Sequence, residues 1–185
     1  MAKLVPTPVL GGFDKTIGGV RLWERTELAL VSLSVPMGGD ADAVKALNSA
    51  YGLDMPEPGM SAANEKHRVI RLAPDQAMLV FNDDAPLAEP AVQAELKGAF
   101  YTTNQTDAWT VLTIEGEPVR QALERLCPLD LHNERFVPGQ AARTVMEHMS
   151  AVIVREGENQ FMLMSASSSA RSFLHAVETS MDYAL

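Results

Sequence analysis

The chain has 185 residues, 46% of them hydrophobic, and a formal net charge of −9 from 15 basic and 24 acidic residues. This composition excludes a disordered chain, and the length allows a buried core without disulfides or a bound metal. An acidic chain with scattered arginines repels phosphate backbones, so we expect no nucleic-acid partner.

The sequence also indicates in which cellular compartment the protein is expected. It contains no signal-peptide pattern and no apolar run near the roughly 20 residues of a membrane span. Its single cysteine, Cys127, has no second cysteine with which to form an internal disulfide, which fits a reducing environment. We therefore expect a cytoplasmic protein without a membrane segment.

Residues 1–20 contain four glycines and two prolines, which disfavour regular structure. They predict an N-terminal arm that is either disordered or laid across a partner. Ordered structure is expected from about Trp23 onward.

The first half, residues 21–103, begins with a strand in LALVSLSV, where apolar residues alternate with serines. A helix capped by Asp40 follows to about Tyr51, with Val44, Leu47 and Tyr51 on its buried face. After a proline- and glycine-rich loop, RVIRL and AMLVF flank APDQ as a hairpin. A helix over residues 89–100 closes this half, with its apolar face formed by Val92, Leu96, Ala99 and Phe100.

The second half, residues 104–185, has the same order of patterns. WTVLTIEG predicts a strand, residues 117–126 a helix, and CPLDLHNERFVPGQ a loop. ARTVMEH, SAVIVRE and QFMLMS predict strands, and a serine-capped helix ends the chain. Its apolar face is formed by Ala170, Phe173, Leu174, Val177 and Met181.

The parallel order of elements predicts an internal duplication. Three pairs of landmarks recur 76 to 84 positions apart: Asp54 and Asp130, Gly59 and Gly139, Gln76 and Gln160. We therefore predict an α+β fold of two pseudo-repeated β-α-β-β-α subdomains, close to the ferredoxin-like unit, over residues 21–103 and 104–185.

The run LCPLDLH places a thiol, a carboxylate and an imidazole close together at Cys127, Asp130 and His132. A nucleophilic cysteine needs a base within hydrogen-bond reach and a lowered pKa, whereas the end of a helix raises the pKa of a thiol. The paired position in the first half is Tyr51, which offers no thiol. The alternatives are a reactive site and a helix end with a packed Cys127, a turn at Asp130 and a surface His132; we favour the second.

The sequence contains little that indicates a metal site or a nucleotide-binding site. No two of the four histidines, His67, His132, His148 and His175, have the spacing of a helical zinc pair. Neither Gly-x-Gly-x-x-Gly nor a Walker loop occurs. In SASSSARSF, Ser167 or Ser168 can cap the last helix, or the serines and Arg171 can hold an anion.

Large side chains remain candidates for core or partner contacts. The ten methionines, among them Met146, Met149, Met162 and Met164, fill a core by default or line a partner surface. Trp23 and Trp109 fit a core role and an interface role equally. Trp23, Trp109 and Arg171 are our candidate interface residues, and no catalytic, cofactor-binding or metal-binding set emerges.

Three motifs carry a resemblance to a known family. RLCPLDLH, PGQAARTVMEH and SARSFL, in this order, resemble the gamma subunit of heterotetrameric sarcosine oxidase, and RLAPDQAMLVF extends the likeness into the first half. That family is similar to the folate-binding aminomethyltransferase, the T-protein, which implies an α+β fold of related subdomains. In the T-protein family a PGQA-like step leads through a strand to a glycine–aspartate hairpin, which MEHMSAVIVREG does not contain.

The resemblance implies a non-catalytic accessory subunit of an enzyme that oxidises sarcosine to glycine, with hydrogen peroxide and formaldehyde or methylenetetrahydrofolate. It places FAD, FMN, NAD and tetrahydrofolate in the alpha and beta subunits and zinc in delta, with docking mainly on alpha. The alternatives are a stand-alone tetrahydrofolate-binding or aminomethyltransferase-like protein, and the same accessory role in a complex that oxidises another N-methyl amino acid.

Overall fold

A computed structural model describes residues 7–83 and 88–185, which contain eleven strands and four α-helices. The strands are β1 (Asp14–Ile17), β2 (Val20–Glu24), β3 (Leu28–Ser34), β4 (Met60–Ala63), β5 (His67–Ala73), β6 (Gln76–Asn82), β7 (Tyr101–Asn104), β8 (Trp109–Glu115), β9 (Ala141–Met146), β10 (Met149–Arg155) and β11 (Gln160–Ala166). The helices are α1 (Asp40–Tyr51), α2 (Glu89–Leu96), α3 (Val119–Leu123) and α4 (Ala170–Ala184).

The chain forms two compact units, and each is discontinuous in sequence. Unit 1 contains the described residues up to Thr26, then 108–138 and 143–185, and unit 2 contains 27–107 and 139–142. Unit 1 has a six-stranded sheet in the order β1-β2-β8-β11-β10-β9. Unit 2 has a five-stranded sheet in the order β4-β5-β6-β3-β7.

The predicted α+β fold and its internal duplication are confirmed. The order β4-β5-β6-β3 in unit 2 repeats as β9-β10-β11-β8 in unit 1. The register agrees as well, because Ser34 lies opposite Gln76 and Glu115 lies opposite Gln160. The two glutamines chosen as landmarks are therefore the first residues of equivalent strands.

One strand of each repeat, β2 in the first and β7 in the second, joins the sheet built by the other repeat. β2 pairs with β8, and β7 pairs with β3, in both cases antiparallel. Residues 21–26 consequently belong to unit 1 and residues 104–107 to unit 2, in contrast to the predicted boundaries at 21–103 and 104–185. The two repeats are intertwined by an exchange of strands.

Helix α1 shows how unit 2 forms its core. The helix has the predicted bounds and buries Ala43, Leu47 and Tyr51, whereas Val44, predicted to face the core, is 45% exposed. It begins after Gly39 rather than at a capping Asp40, and it ends at Gly52, whose φ of 64° lets its N–H donate to the carbonyl of Asn48. Around it pack Val31, Leu33, Val69, Leu79, Val92, Leu96 and Phe100.

Three helix predictions need correction. Helix α2 ends at Leu96 rather than near residue 100, because Lys97 and Gly98 adopt positive φ of 52° and 82°. Helix α3 covers only Val119–Leu123 of the predicted 117–126. The serines before α4 form a single 3₁₀ turn, and no serine side chain caps the helix.

The predicted arm is ordered in its described part. Residues 14–17 form β1, and the carboxylate of Glu24, itself 8% exposed, accepts the N–H groups of Leu10 (3.0 Å) and Gly12 (2.8 Å). Residues 8–17 are therefore fixed to unit 1 by the chain itself. Residues 1–6 of the predicted arm lie outside the described residues.

Among the described residues, no helix is long and apolar enough to cross a membrane.

Replacing Glu24 with alanine should release the segment around Leu10 and Gly12. Because two hydrogen bonds to a buried carboxylate are lost, we expect the free energy of unfolding to fall by about 2 kcal/mol. Amide hydrogen exchange should also accelerate selectively at Leu10 and Gly12. Unchanged exchange at these two amides would contradict the role of Glu24, and Glu115→Ala, on the exposed end of β8, is the matched control.

Candidate functional site

The LCPLDLH segment is a helix end followed by a turn. Cys127 is 6% exposed, and its thiol donates to the carbonyl of Leu123 at 3.6 Å. Burial raises the pKa of this thiol, so little of it is thiolate at neutral pH. Asp130 accepts the backbone N–H of His132 at 3.0 Å, the turn expected from the sequence. The side chain of His132 accepts the backbone N–H of Glu134 at 3.4 Å, so the three side chains have separate structural roles.

The loop that contains this segment is fixed by a buried arginine, which is not among the residues predicted from the sequence. Arg155, the last residue of β10, is 2% exposed. Its Nε donates to the carbonyl of Gly157 at 3.0 Å, and its Nη2 donates to the Asn133 side chain at 2.9 Å and the Glu158 carbonyl at 2.8 Å. Its Nη1 donates to the carbonyls of Asn133 and Phe136. All five donors are used on the loop and on the β10–β11 turn.

A second arginine completes this cluster. Arg120 on α3 donates to the carbonyl of Leu131 at 3.2 Å, to the Asn159 side chain at 2.8 Å and to the carbonyl of Glu158. The guanidinium groups of Arg120 and Arg155 lie 5.4 and 5.9 Å from the ring centroid of Phe161. Burial lowers the pKa of both arginines, and the cation of Arg155 lowers that of Arg120 further. Both remain charged, since arginine titrates far above neutral pH.

Unit 2 contains an equivalent arginine. Arg71 lies opposite Ala77 in unit 2, and Arg155 lies opposite Phe161 in unit 1. Arg155 follows Arg71 by 84 positions in sequence, and Phe161 follows Ala77 by the same 84. Arg71 donates from Nη1 to the carbonyl of Pro56, in the long loop, and from Nη2 to that of Pro74, in the hairpin turn. The arginine thus joins loop to turn in both repeats, and the recurrence at 84 positions was a signal in the sequence.

The PGQA segment, residues 138–141, pairs through its backbone with residues 59–61, its counterpart in the first repeat. Gly59 and Gly139 both have positive φ, 83° and 92°. Ser61 donates its N–H to the carbonyl of Gly139 at 2.6 Å, and Ala141 donates to that of Gly59 at 2.8 Å. Beyond β9, the turn into β10 is Glu147–His148, and Glu147 has a φ of 53°, in the left-handed region that favours glycine.

Unit 2 also contains a small cluster of titratable groups. The rings of Tyr51 and His67 are 4.7 Å apart beside a cleft of about 470 Å³. Burial, and then the nearby Glu95, raise the pKa of Tyr51, whereas burial lowers the pKa of His67. Within residues 7–83 and 88–185, no three histidine, cysteine or acidic side chains converge as metal ligands.

The three predicted interface residues lie in unit 1. Trp23 is half-buried on β2 beneath the guanidinium of Arg21, 4.6 Å from its ring centroid. Trp109 begins β8, and its indole N–H is buried without an acceptor in the described part of the chain. Arg171 is exposed in the first turn of α4. Of the four methionines named as candidates, Met146, Met162 and Met164 are core residues.

Replacing Arg155 with lysine should destabilise the protein despite the retained charge. An ammonium cannot reproduce five donors in a planar fork, so buried carbonyl groups lose their partners, and we expect a loss of about 2 kcal/mol in urea unfolding. Arg125→Lys, at an exposed arginine, is the control and should change stability by less than about 0.5 kcal/mol. Equal stability of the two variants would show that the cluster does not hold the loop.

The thiol of Cys127 should react slowly in the native protein. Because burial raises its pKa, alkylation by iodoacetamide at pH 7 should be at least about tenfold slower than in urea-unfolded protein. The native rate should increase as the pH is raised toward the thiol pKa. A native rate at pH 7 equal to the unfolded rate would restore the reactive-site interpretation.

Comparisons with known proteins identify the family. The model described as "Sarcosine oxidase, gamma subunit family" matches residues 37–181. The "Sarcosine oxidase subunit gamma" of Corynebacterium sp. (strain P-1) is 26% identical over 162 residues, which cover 86% of this chain and 79% of the relative.

Solved structures agree in fold. A chain of the heterotetrameric sarcosine oxidase from Corynebacterium sp. U-96, in complex with pyrrole 2-carboxylate, superposes with a TM-score of 0.79 at 23% identity, covering 91% of this chain and 87% of that one. The glycine cleavage system aminomethyltransferase T from Bartonella henselae gives 0.60 at 19% identity over 88% of this chain and 46% of that one. The T-protein-like fold is thus confirmed, and the match over residues 37–181 shows that the chain belongs to the sarcosine oxidase gamma subunit family.

Proposed function

We propose that this chain is the non-catalytic, accessory gamma subunit of a heterotetrameric sarcosine oxidase. The assembled enzyme would oxidise sarcosine to glycine, with hydrogen peroxide and formaldehyde or methylenetetrahydrofolate as the other products. The observation that carries the proposal is the family match over residues 37–181. The solved relative in Corynebacterium sp. U-96 is described as heterotetrameric, which supports an assembly with other subunits.

The accessory role is supported by what the reactive side chains do. Cys127 is a buried thiol with a raised pKa, and Asp130 is used in a turn. The buried Arg155 uses all five of its donors within the chain. These three side chains are thus engaged in packing and in the conformation of the loop in unit 1.

In this proposal the cofactors belong to the partner subunits. The alpha and beta subunits would carry FAD, FMN, NAD and the tetrahydrofolate site, and delta would carry zinc. The gamma chain would dock mainly on alpha. The cytoplasm is the proposed location, because the lone, buried Cys127 is a free thiol.

Co-expression with the cognate alpha, beta and delta subunits tests the proposal. We expect the chain to co-elute with alpha in size-exclusion chromatography, and the isolated chain to show no visible flavin absorption. Cys127→Ala should leave sarcosine turnover by the assembled complex unchanged. Separate elution at micromolar concentration, or a yellow isolated chain, would contradict the proposal.

A tetrahydrofolate-binding or aminomethyltransferase-like protein is the second candidate, favoured by the fold shared with aminomethyltransferase T. Calorimetric titration of the isolated chain with tetrahydrofolate separates the two, since saturable binding supports the second. A complex that acts on another N-methyl amino acid would be recognised by the turnover of N-methyl substrates by the assembled enzyme.

A further inference from the structure

The two intertwined repeats differ at one sheet edge. Unit 1 has six strands and unit 2 has five. Strands β2 and β7 are equivalent, because Glu24 lies opposite Leu112 in β8 and Asn104 lies opposite Val31 in β3, at matching register positions. The additional strand of unit 1 is β1, which covers the outer edge of β2. Among the described residues, no strand covers the outer edge of β7.

The backbone groups at this edge can be assigned from the pairing. Gln105 donates its N–H to the carbonyl of Leu30 at 2.8 Å, so it is one of the residues bonded to β3. In an antiparallel pair the bonded residues alternate, so Thr103 and Tyr101 also face β3. Thr102 and Asn104 therefore direct their N–H and C=O groups away from the sheet.

The equivalent groups in unit 1 are used. Leu22 and Glu24 occupy the positions of Thr102 and Asn104. Leu22 pairs with Lys15 of β1, and Glu24 donates its N–H to the carbonyl of Phe13 at 2.8 Å. The same strand position thus binds an extended segment in unit 1, and within residues 7–83 and 88–185 it binds none in unit 2.

The side chains of β7 also allow a further strand to pair with its outer edge. Proteins usually protect an edge strand with charged residues or by covering it. β1 carries Asp14 and Lys15, and β4 is bridged to Gln140 through Met60. β7, with the sequence YTTN, has no charged residue, and its Tyr101 is 71% exposed.

We propose that the outer edge of β7 accepts an extended, uncharged segment of a partner subunit as the sixth strand of unit 2. This inference rests on the proposed accessory role. The incoming segment binds antiparallel or parallel through the N–H and C=O groups of Thr102 and Asn104. It presents an aromatic or β-branched side chain to Tyr101, the cross-strand partner that such a residue favours.

Amide hydrogen exchange in the isolated chain and in the assembled complex tests the inference. The amides of Thr102 and Asn104 should exchange rapidly in the isolated chain and at least about tenfold more slowly in the complex. The amide of Thr103, bonded to β3, should be protected in both and is the internal control. If the complex forms and the amides of Thr102 and Asn104 stay unprotected, the strand site is wrong while the accessory role stands.

A substitution pair provides the second test. Thr102→Pro removes an outward N–H, which edge strands tolerate, whereas Thr102→Val keeps the N–H and removes only the hydroxyl that contacts Glu89. We expect Thr102→Pro to weaken binding of the partner subunits by about tenfold and Thr102→Val to leave it within about twofold. Equal affinities of the two variants, with unchanged melting temperatures, would contradict the inference. Concentration-dependent protection in the isolated chain would assign the edge to a second copy and overturn the partner assignment.

Discussion

A guanidinium near the end of a hairpin strand, buried in Arg155 and half-buried in Arg71, is the constraint on which both long loops depend. Arg155 reaches across from β10 to carbonyl groups of a loop that has no regular structure, and Arg71 does the same in unit 2. A loop with buried polar backbone groups is stable only if those groups find partners. The arginine supplies several donors in one plane, which few other side chains can do. The conformation of the LCPLDLH segment is thus held by a side chain from outside its loop.

Because the repeats exchange strands, the loss of one strand removes hydrogen bonds from the sheet of the other repeat. Each sheet contains a strand from the other repeat, so neither repeat can complete its sheet alone. The pairing of the Gly59 and Gly139 segments adds a further link between distant parts of the sequence. Loss of one strand therefore affects hydrogen bonding in residues that are far away in the chain, and a cooperative unfolding transition is the expected behaviour.

The sequence was informative where an element forms by its own pattern. Helix α1 and the strands β3, β6, β8 and β11 lie where their apolar residues predict them, because each buries most of those residues. β1, β2, β4 and β7 have four or five residues, and their existence depends on pairing with distant strands rather than on local pattern. The roles of Glu24 and Arg155 were missed because a charged side chain in a strand normally indicates solvent exposure. The interface roles of Trp23, Trp109 and Arg171 stay predictions.

The strand exchange also imposes an order on folding during synthesis. β2 starts at Val20, and β8, on which it pairs, starts 89 residues later at Trp109. At about 5–20 residues per second, the ribosome leaves the N-terminal hairpin without its sheet for several seconds. β3, β5 and β6 can meanwhile assemble from contiguous sequence. Unit 2 is therefore expected to form first. Unit 1 is expected to form later, when β8 has been synthesised and β2 can pair with it.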